Sequence, residues 1–272
     1  MSHLKFNIFI NPKTISVNDR GFNYGDGLFE TILVKDSKIK YLKEHIDRLH
    51  SGCIKLKIQK PKLTFIRQCI KTAIGENKDG VIKIILSRGS SPFGYKFPKD
   101  IKHNLYIMMN KKIISPQKKI SLKLKFSKHQ IYENPLLAKI KHLNRIDQCL
   151  VAYNFNQLKN INDLVVLNNT NIIETMSSNI FFVQKIKSEY IFYTPKIDKI
   201  GVDGIMKNQV IKHLKKNNYR IVEKDISSVS LKKYCTSFIV NSIQGLIFVD
   251  QIENNKFSND EIIYNILSKF IY

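Results

Sequence analysis

Hydrophobic and polar positions along this chain follow two rhythms, one of period two and one of about three and a half residues, which alternate several times. Residues 7–10 read as a short strand that stops at the Asn11-Pro12 turn. Residues 28–34 and 38–41 flank Asp36-Ser37 and predict a β-hairpin. Leu42, Ile46, Leu49, Cys53 and Leu56 then recur at helical spacing, predicting a helix with one buried face and Arg48 beside it. Pro61 opens a second predicted helix to about residue 74, at an early position where its missing N–H costs little. The dense β-branched run over 81–87 predicts a buried strand, which delivers Arg88-Gly89-Ser90-Ser91-Pro92-Phe93-Gly94-Tyr95 as a loop. A strand over 104–110 follows, and the polar segment 111–119, with Pro116, predicts a domain linker.

The second half opens with Ile120, Leu122, Leu124 and Phe126 alternating with Ser121, Lys123 and Lys125, a strand pattern. Leu143, Ile146, Leu150 and Tyr153 predict a helix with Lys141 at its entrance. Residues 163–167 and 172–175 bracket Asn168-Asn169-Thr170-Asn171 and predict a hairpin. Tyr193-Thr194-Pro195 leads through residues 201–204 to a helix from about 205, with Met206, Val210, Ile211 and Leu214 on its buried face. A strand over 236–242 places Asn241, Ser242 and Gln244 at its polar end. Ser258 and Glu261 form a capping box, stapled by Phe257 and Ile262, for a closing helix whose Ile263, Ile266, Leu267 and Phe270 pack inward. This order implies an α/β (α+β) chain of two domains, 1–115 and 116–272, with a site in the cleft where they meet.

Composition adds limits rather than detail. The 272 residues are 43% hydrophobic and 10% aromatic, enough to close a substantial core. A net charge of +23, from 45 basic and 22 acidic residues, invites a third reading as a basic nucleic-acid-binding protein. The basic residues are scattered through every segment and form no stripe, so no specific nucleic-acid partner is expected. Cys53, Cys69, Cys149 and Cys235 form no CxxC pair, which points away from zinc and disulfides and towards the reducing cytoplasm. Residues 1–13 lack a signal-peptide pattern and no apolar run reaches membrane-spanning length, so neither membrane nor metal is expected.

The chemistry gathers around Lys139-Ile140-Lys141-His142-Leu143-Asn144-Arg145. Two lysines stand there beside a polar cluster at the edge of an apolar segment, where an amine can lose its proton and act as a nucleophile. Gly21, Gly25 and Gly27 permit a tight turn or a close approach. Gly204 opens a helix whose free amides can take an anion. Glu174 lies on a strand, where an acidic residue ordinarily faces water, and Thr31 is in the first instance a good strand former.

Lys141-His142-Leu143-Asn144-Arg145, the run from Asp19 through Gly25-Asp26-Gly27-Leu28-Phe29-Glu30-Thr31, and Tyr193-Thr194-Pro195 with Gly201-Val202-Asp203-Gly204-Ile205-Met206 occur together, in this order. In this the chain resembles the aminodeoxychorismate lyases, pyridoxal-phosphate enzymes of the class IV (D-amino acid aminotransferase-like, fold-type IV) group, over about residues 11–249. The resemblance implies that Lys141 is the Schiff-base lysine of pyridoxal 5'-phosphate and afterwards the catalytic base, and that Lys139 is a solvated neighbour. It implies that Arg48 of the Arg48-Leu49 pair, Gly204 and Ile205 serve the cofactor phosphate, for which Asn241, Ser242 and Gln244 at the polar end of their strand are further candidates. Glu174, in Glu-Thr-x-Ser-Ser-Asn with Asn179, is implied to face the pyridine nitrogen, where a carboxylate keeps the ring protonated. Thr31 is implied to stand near the chemistry. Arg88, Tyr95 and Lys96 become candidates for the carboxylates of a dianionic substrate, with Arg88 as a structural hydrogen-bonder of its loop the alternative.

The implied reaction turns 4-amino-4-deoxychorismate into 4-aminobenzoate and pyruvate, a step of folate biosynthesis, in a homodimer. The closest rival is amino transfer to branched-chain or D-amino acids. Against it stand the Lys-His-Leu-Asn-Arg motif and Ile146, at the position where branched-chain enzymes carry a tyrosine. Two departures from the lyase pattern are Lys207, where arginine is usual, and Phe93, in a loop that is more basic in other members.

Overall fold

In the computed structural model, which describes residues 5–92, 94–111 and 122–271, the chain divides into two compact units. The first comprises Met1–Ser115 together with Ile140–Arg145, and the second Pro116–Lys139 together with Ile146–Tyr272. The lysine segment expected in the second domain thus packs in the first. The linker expected over 111–119 lies outside the described residues except for Lys111, as do Ile120 and Ser121 of the expected strand.

The first unit is built on a five-stranded sheet: β1 (Phe6–Ile10), β2 (Gly27–Lys35), β3 (Lys38–Ile39), β4 (Gly80–Ser87) and β5 (His103–Asn110), in the order β1-β5-β4-β2-β3. Only the β1–β5 pair is parallel. Asp36 and Ser37 both adopt left-handed backbone angles, φ 51° and 60°, which match the twist of the hairpin they close. Among the described residues three helices accompany the sheet: α1 (Arg20–Tyr24), α2 (Leu42–Leu56) and α3 (Leu63–Ile74). On α2 the expected stripe is buried at Leu42, Ile46, Leu49 and Cys53, and His45 is buried with it. Pro61 falls two residues before α3 rather than inside it.

Residues 20–27, read from their glycines as a loop, begin instead as the short helix α1. Asp19 caps it, its Oδ1 accepting the amides of Gly21 and Phe22. The other oxygen of the same buried carboxylate accepts from Ser87, Asn104 and Tyr106, which ties α1 to the ends of β4 and β5.

The second unit carries a ten-stranded sheet among the described residues. Its strands are β6 (Leu122–Phe126), β7 (Asp163–Asn168), β8 (Asn171–Thr175), β9 (Asn179–Ile186), β10 (Glu189–Pro195), β11 (Arg220–Lys224), β12 (Ile226–Ser227), β13 (Thr236–Asn241), β14 (Gly245–Ile252) and β15 (Asn255–Lys256). The order is β11-β10-β9-β13-β14-β6-β7-β8-β12, with β15 on β14. Leu124, Val165, Phe182, Ile239 and Val249 centre one core cluster, and Val151, Leu164, Val166 and Ile173 a second.

Among the described residues three α-helices belong to this unit: α4 (Ile146–Phe155), α5 (Ile205–Lys216) and α6 (Glu261–Leu267). The burial expected on α4 is corrected. Leu143 lies outside the helix, Ile146, Leu150 and Tyr153 are exposed, and Val151 alone is buried. On α5 the expected face is buried and includes Lys207. The cap of α6 is also corrected: Asp260, not Ser258, accepts the amides of Ile262 and Ile263, and Ile262 is exposed rather than stapled. Among the described residues no helix is long and apolar enough to cross a membrane.

Candidate active site

Lys141 is held by backbone pairing. Its carbonyl accepts the amide of Phe29, and the amide of Leu143 donates to Gly27, so residues 141–143 add a short rung to the free edge of β2. Asn144 donates to the carbonyl of Gly25, whose left-handed φ of 64° and crowding against Asn144 leave no room for a Cβ. Lys141 is half-buried, and its ε-amine stands 4.4 Å from the centroid of the Phe29 ring. Alternation along β2 puts Thr31, half-buried, on the same face as Phe29. Lys139 is exposed, and its backbone pairs with residues 201–203 of the second unit, so the two lysines divide into one structural and one presented amine.

Arg48 is turned to the opposite face of β2. Its Nε and Nη2 donate to the two oxygens of Glu30 at 2.8 and 2.6 Å, and His45 Nδ1 lies 2.7 Å from the same carboxylate. Burial alone would raise the pKa of Glu30. The charge and hydrogen bonds of Arg48, helped by His45, outweigh it and bring the value down to about 2. An ionised carboxylate only accepts, so His45 donates through Nδ1, while its buried Nε2 has no hydrogen-bond partner. The two-point contact fixes the plane of the Arg48 guanidinium. The motif reading passes over Glu30 and His45, although the alternation Leu28, Glu30, Ile32, Val34 already directs Glu30 inward.

The loop after β4 is built around arginines. Arg88 donates to Asp26 through Nε, to the carbonyl of Lys57 through Nη1 and to that of Leu56 through Nη2. It therefore ties the end of α2 to the loop, and its contacts favour the structural alternative over substrate binding. Arg20, which the motif reading did not single out, is buried and donates to Asp26, Ser91 and the carbonyls of Gly94 and Tyr95. Tyr95 and Lys96 are exposed on this loop.

In the second unit two of the remaining candidates converge on the backbone of one residue, Val202. Glu174, buried on β8, accepts the amide of Val202, and Asn179, buried at the start of β9, donates to the carbonyl of the same residue. A Cβ on Gly204 would overlap Asn179 Oδ1, so only glycine permits this approach at the helix entry. Ile205 begins α5, whose N-terminus has no side-chain cap and no acidic residue in its first turn. Its orphan amides and dipole are therefore suited to an anion. Ser242 follows β13 in a turn shaped by Asn241, whose Oδ1 accepts the amides of Ile243 and Gln244 and whose Nδ2 donates to Ser178. Lys207 is buried and pairs with Glu223 at 2.6 Å and Asp203 at 3.4 Å, so this departure from arginine serves packing within the unit.

These residues can be set beside known proteins. The chain is 29% identical to the aminodeoxychorismate lyase of Vibrio harveyi over 89% of each chain. It is 26% identical to a putative branched-chain-amino-acid aminotransferase of Methanocaldococcus jannaschii, over 93% of this chain and 88% of that one. The crystal structure of 4-amino-4-deoxychorismate lyase from Pseudomonas aeruginosa superposes with a TM-score of 0.86 at 25% identity, covering 95% of this chain and 94% of the other. The family model described as amino-transferase class IV matches residues 27–252, from the strand that carries Phe29 and Thr31 to the end of β14. The match takes in most of the chain, and the chain belongs to the class IV aminotransferase family.

Proposed function

We propose that this protein is a pyridoxal-phosphate-dependent lyase that converts 4-amino-4-deoxychorismate into 4-aminobenzoate and pyruvate. The observation that carries the reading is Lys141. The residue is half-buried with its ε-amine over an aromatic ring, and its backbone is fastened to β2 by the Lys-His-Leu-Asn segment. Each unit offers groups of the kind the cofactor needs: in the first an amine at Lys141 and a guanidinium fixed at Arg48, in the second a buried carboxylate at Glu174 and a twelve-residue helix without a side-chain cap. In this reading Lys141 holds the cofactor aldehyde carbon and Glu174 the ring nitrogen. Arg48, Ser242 and the amides of Gly204 and Ile205 hold the phosphate, with Asn179 fixing the turn that presents them. Bound there, pyridoxal phosphate supplies an electron sink at the substrate amine.

The rest of the chemistry belongs to the chain and the substrate. As the general base, Lys141 Nζ takes the proton from the ring carbon bearing the amine. The bond from the ring to the enolpyruvyl oxygen breaks, the departing group leaves as pyruvate after gaining a proton, and the ring becomes aromatic. No water is consumed, and aromatisation drives the step. Thr31, which shares the Phe29 face of β2, is in this reading the hydroxyl that assists the step. Tyr95 and Lys96 are kept on the substrate side. The same reading makes the protein a cytoplasmic homodimer, and the exposed Ile146, Leu150 and Tyr153 of α4 are apolar surface available to a second copy.

The test is direct. Protein purified with pyridoxal phosphate should show bound-cofactor absorbance that Lys141→Ala abolishes, and should release equimolar 4-aminobenzoate and pyruvate from aminodeoxychorismate. Transfer of the amino group from D-alanine or a branched-chain amino acid, without 4-aminobenzoate, would replace this reading with the aminotransferase one.

A further inference from the structure

The stretch from Arg20 to Gly27 holds two parts of the first unit at once. On one side it receives the lysine segment: the carbonyl of Gly25 accepts the side-chain amide of Asn144, the carbonyl of Gly27 accepts the amide of Leu143, and a Cβ on Gly21 or Gly27 would crowd the Leu143 side chain. On the other, Arg20 and Tyr24 hold the loop after β4. Lys141 and that loop are therefore located from one frame inside a single compact unit.

The hold on the loop is made mostly at its backbone. Arg20 Nη1 donates to Ser91 Oγ at 3.1 Å and to the carbonyl of Gly94 at 3.0 Å, Nη2 donates to the carbonyl of Tyr95 at 3.0 Å, and Nε is met by Asp26. The hydroxyl of Tyr24 accepts the amide of Gly94 at 2.9 Å, so both backbone groups of that glycine are held from α1. Gly94 has a φ of 94° and no described atom would meet a Cβ there within 4 Å, so conformation rather than crowding calls for glycine. A glycine ranges over both signs of φ, and the path of the chain at this point is set by what holds it. The side chains that follow are left outside: Tyr95 is 82% exposed, and Lys96 is exposed beside it. A clamped backbone that presents its side chains suits recognition.

We propose that Arg20 is a positioning residue for substrate recognition, fixing the backbone of Gly94 and Tyr95 so that the Tyr95 hydroxyl and the Lys96 ammonium stand ready for a carboxylate of the substrate. The proposal rests on the lyase reading for the identity of that substrate and for its approach to this loop. Arginine is required because one planar fork must reach acceptors on Asp26, Ser91, Gly94 and Tyr95 together. The point charge of a lysine can stay beside Asp26, but it gives up most of the loop contacts.

Limited trypsin digestion of the holoenzyme, read by mass at the bond after Lys96, reports on the loop without turnover. That bond should be cut slowly in the unsubstituted protein and roughly tenfold faster in Arg20→Lys, as the loop opens more often. KM for aminodeoxychorismate should rise by roughly the same factor with a smaller fall in kcat, and bound-cofactor absorbance should not change. In a Tyr95→Phe, Lys96→Met background the same substitution should move KM by less than about twofold, because its route to the substrate is gone. Tyr24→Phe removes only the hydroxyl that accepts the Gly94 amide; it should shift cleavage and KM the same way by a smaller factor, and it keeps the assignment open to refutation should Arg20→Lys fail to fold. Cleavage after Lys96 that is no faster in the variants, faster cleavage with KM unchanged, or an undiminished rise in KM in the Tyr95→Phe, Lys96→Met background overturns the proposal. Absence of 4-aminobenzoate formation by the unsubstituted enzyme instead overturns the lyase reading and the substrate named with it, while cleavage after Lys96 still decides whether Arg20 fixes the loop.

Discussion

Two buried carboxylates, one in each unit, are handled in opposite ways. Glu30 is met by the guanidinium of Arg48 and the imidazole of His45, and its pKa falls to about 2 although burial pushes the other way. Asp163 is met by neutral donors: the hydroxyl of Thr175 and the amides of Leu164 and Met176. There burial prevails and the pKa rises above the ordinary carboxylate range. The difference separates two uses of a buried acid. Glu30 orients a cation that the proposed cofactor site needs, whereas Asp163 gathers hydrogen bonds at the end of the β7–β8 hairpin that carries Glu174.

The largest effect is expected from Glu30→Ala, which leaves Arg48 and His45 buried without their shared partner. Breaking a buried pair from one side costs about 3–5 kcal/mol. Urea unfolding should show a loss of that size, and spectrophotometric titration should show pyridoxal phosphate bound at least tenfold more weakly. A loss within experimental scatter would mean that Glu30 is no anchor.

Acid should reproduce part of this effect. Glu30 is more acidic in the fold than in the unfolded chain, so its contribution is complete above pH 4.5 and is lost as the pH falls towards 2. The linkage amounts to about 3 kcal/mol, and Glu30→Gln should remove this portion of the acid dependence. A smaller step follows from Arg48→Lys, where a point charge replaces a planar fork. Stability should fall by about 1–2 kcal/mol as one of the two contacts is lost, and cofactor affinity should fall with it.

Much of this was legible before any coordinates, and the exceptions share a cause. Leu42, Ile46, Leu49 and Cys53 on α2 and Ile146, Leu150 and Tyr153 on α4 show the same periodicity, yet only the first set is buried. Periodicity marks a face as apolar but does not say what covers it. On α4 the first member of the pattern, Leu143, is drawn away by backbone pairing to β2, a long-range contact that local spacing does not encode. The cap of α6 failed similarly. Ser258, Asn259 and Asp260 are all competent, and the hydroxyl of Tyr190, 2.7 Å from Asp260, comes from a distant strand. Glu174, Asn179 and Gly204 come together at the turn of residues 202–204, as their motif spacing led one to expect, because that spacing reflects local geometry. The Asp26 carboxylate shared by Arg20 and Arg88 joins side chains from two stretches of sequence, residues 20–26 and the loop after β4, and neither stretch alone reports it.

The smallest expected effect is the sharpest discriminator between the two carboxylates. Asp163→Asn replaces an acceptor with a group that both accepts and donates. Its remaining oxygen can keep the amide of Leu164, and its new N–H₂ can donate to Thr175 Oγ1 if that hydroxyl turns its proton to the carbonyl of Ser178, now 3.4 Å away. One good hydrogen bond is exchanged for a longer one, so stability should change by no more than about 1 kcal/mol. The pH dependence carries the information. Because Asp163 binds its proton more tightly in the fold, the unfolded chain ionises first as the pH rises past the ordinary value, and the folded protein loses stability until its own carboxyl ionises. Asparagine has no proton to lose, so the variant should gain on the unsubstituted protein between pH 4 and pH 7, opposite in sign to the trend at Glu30. Urea unfolding at both pH values measures the difference, and a variant that loses ground at pH 7 would place Asp163 among the ion-paired acids.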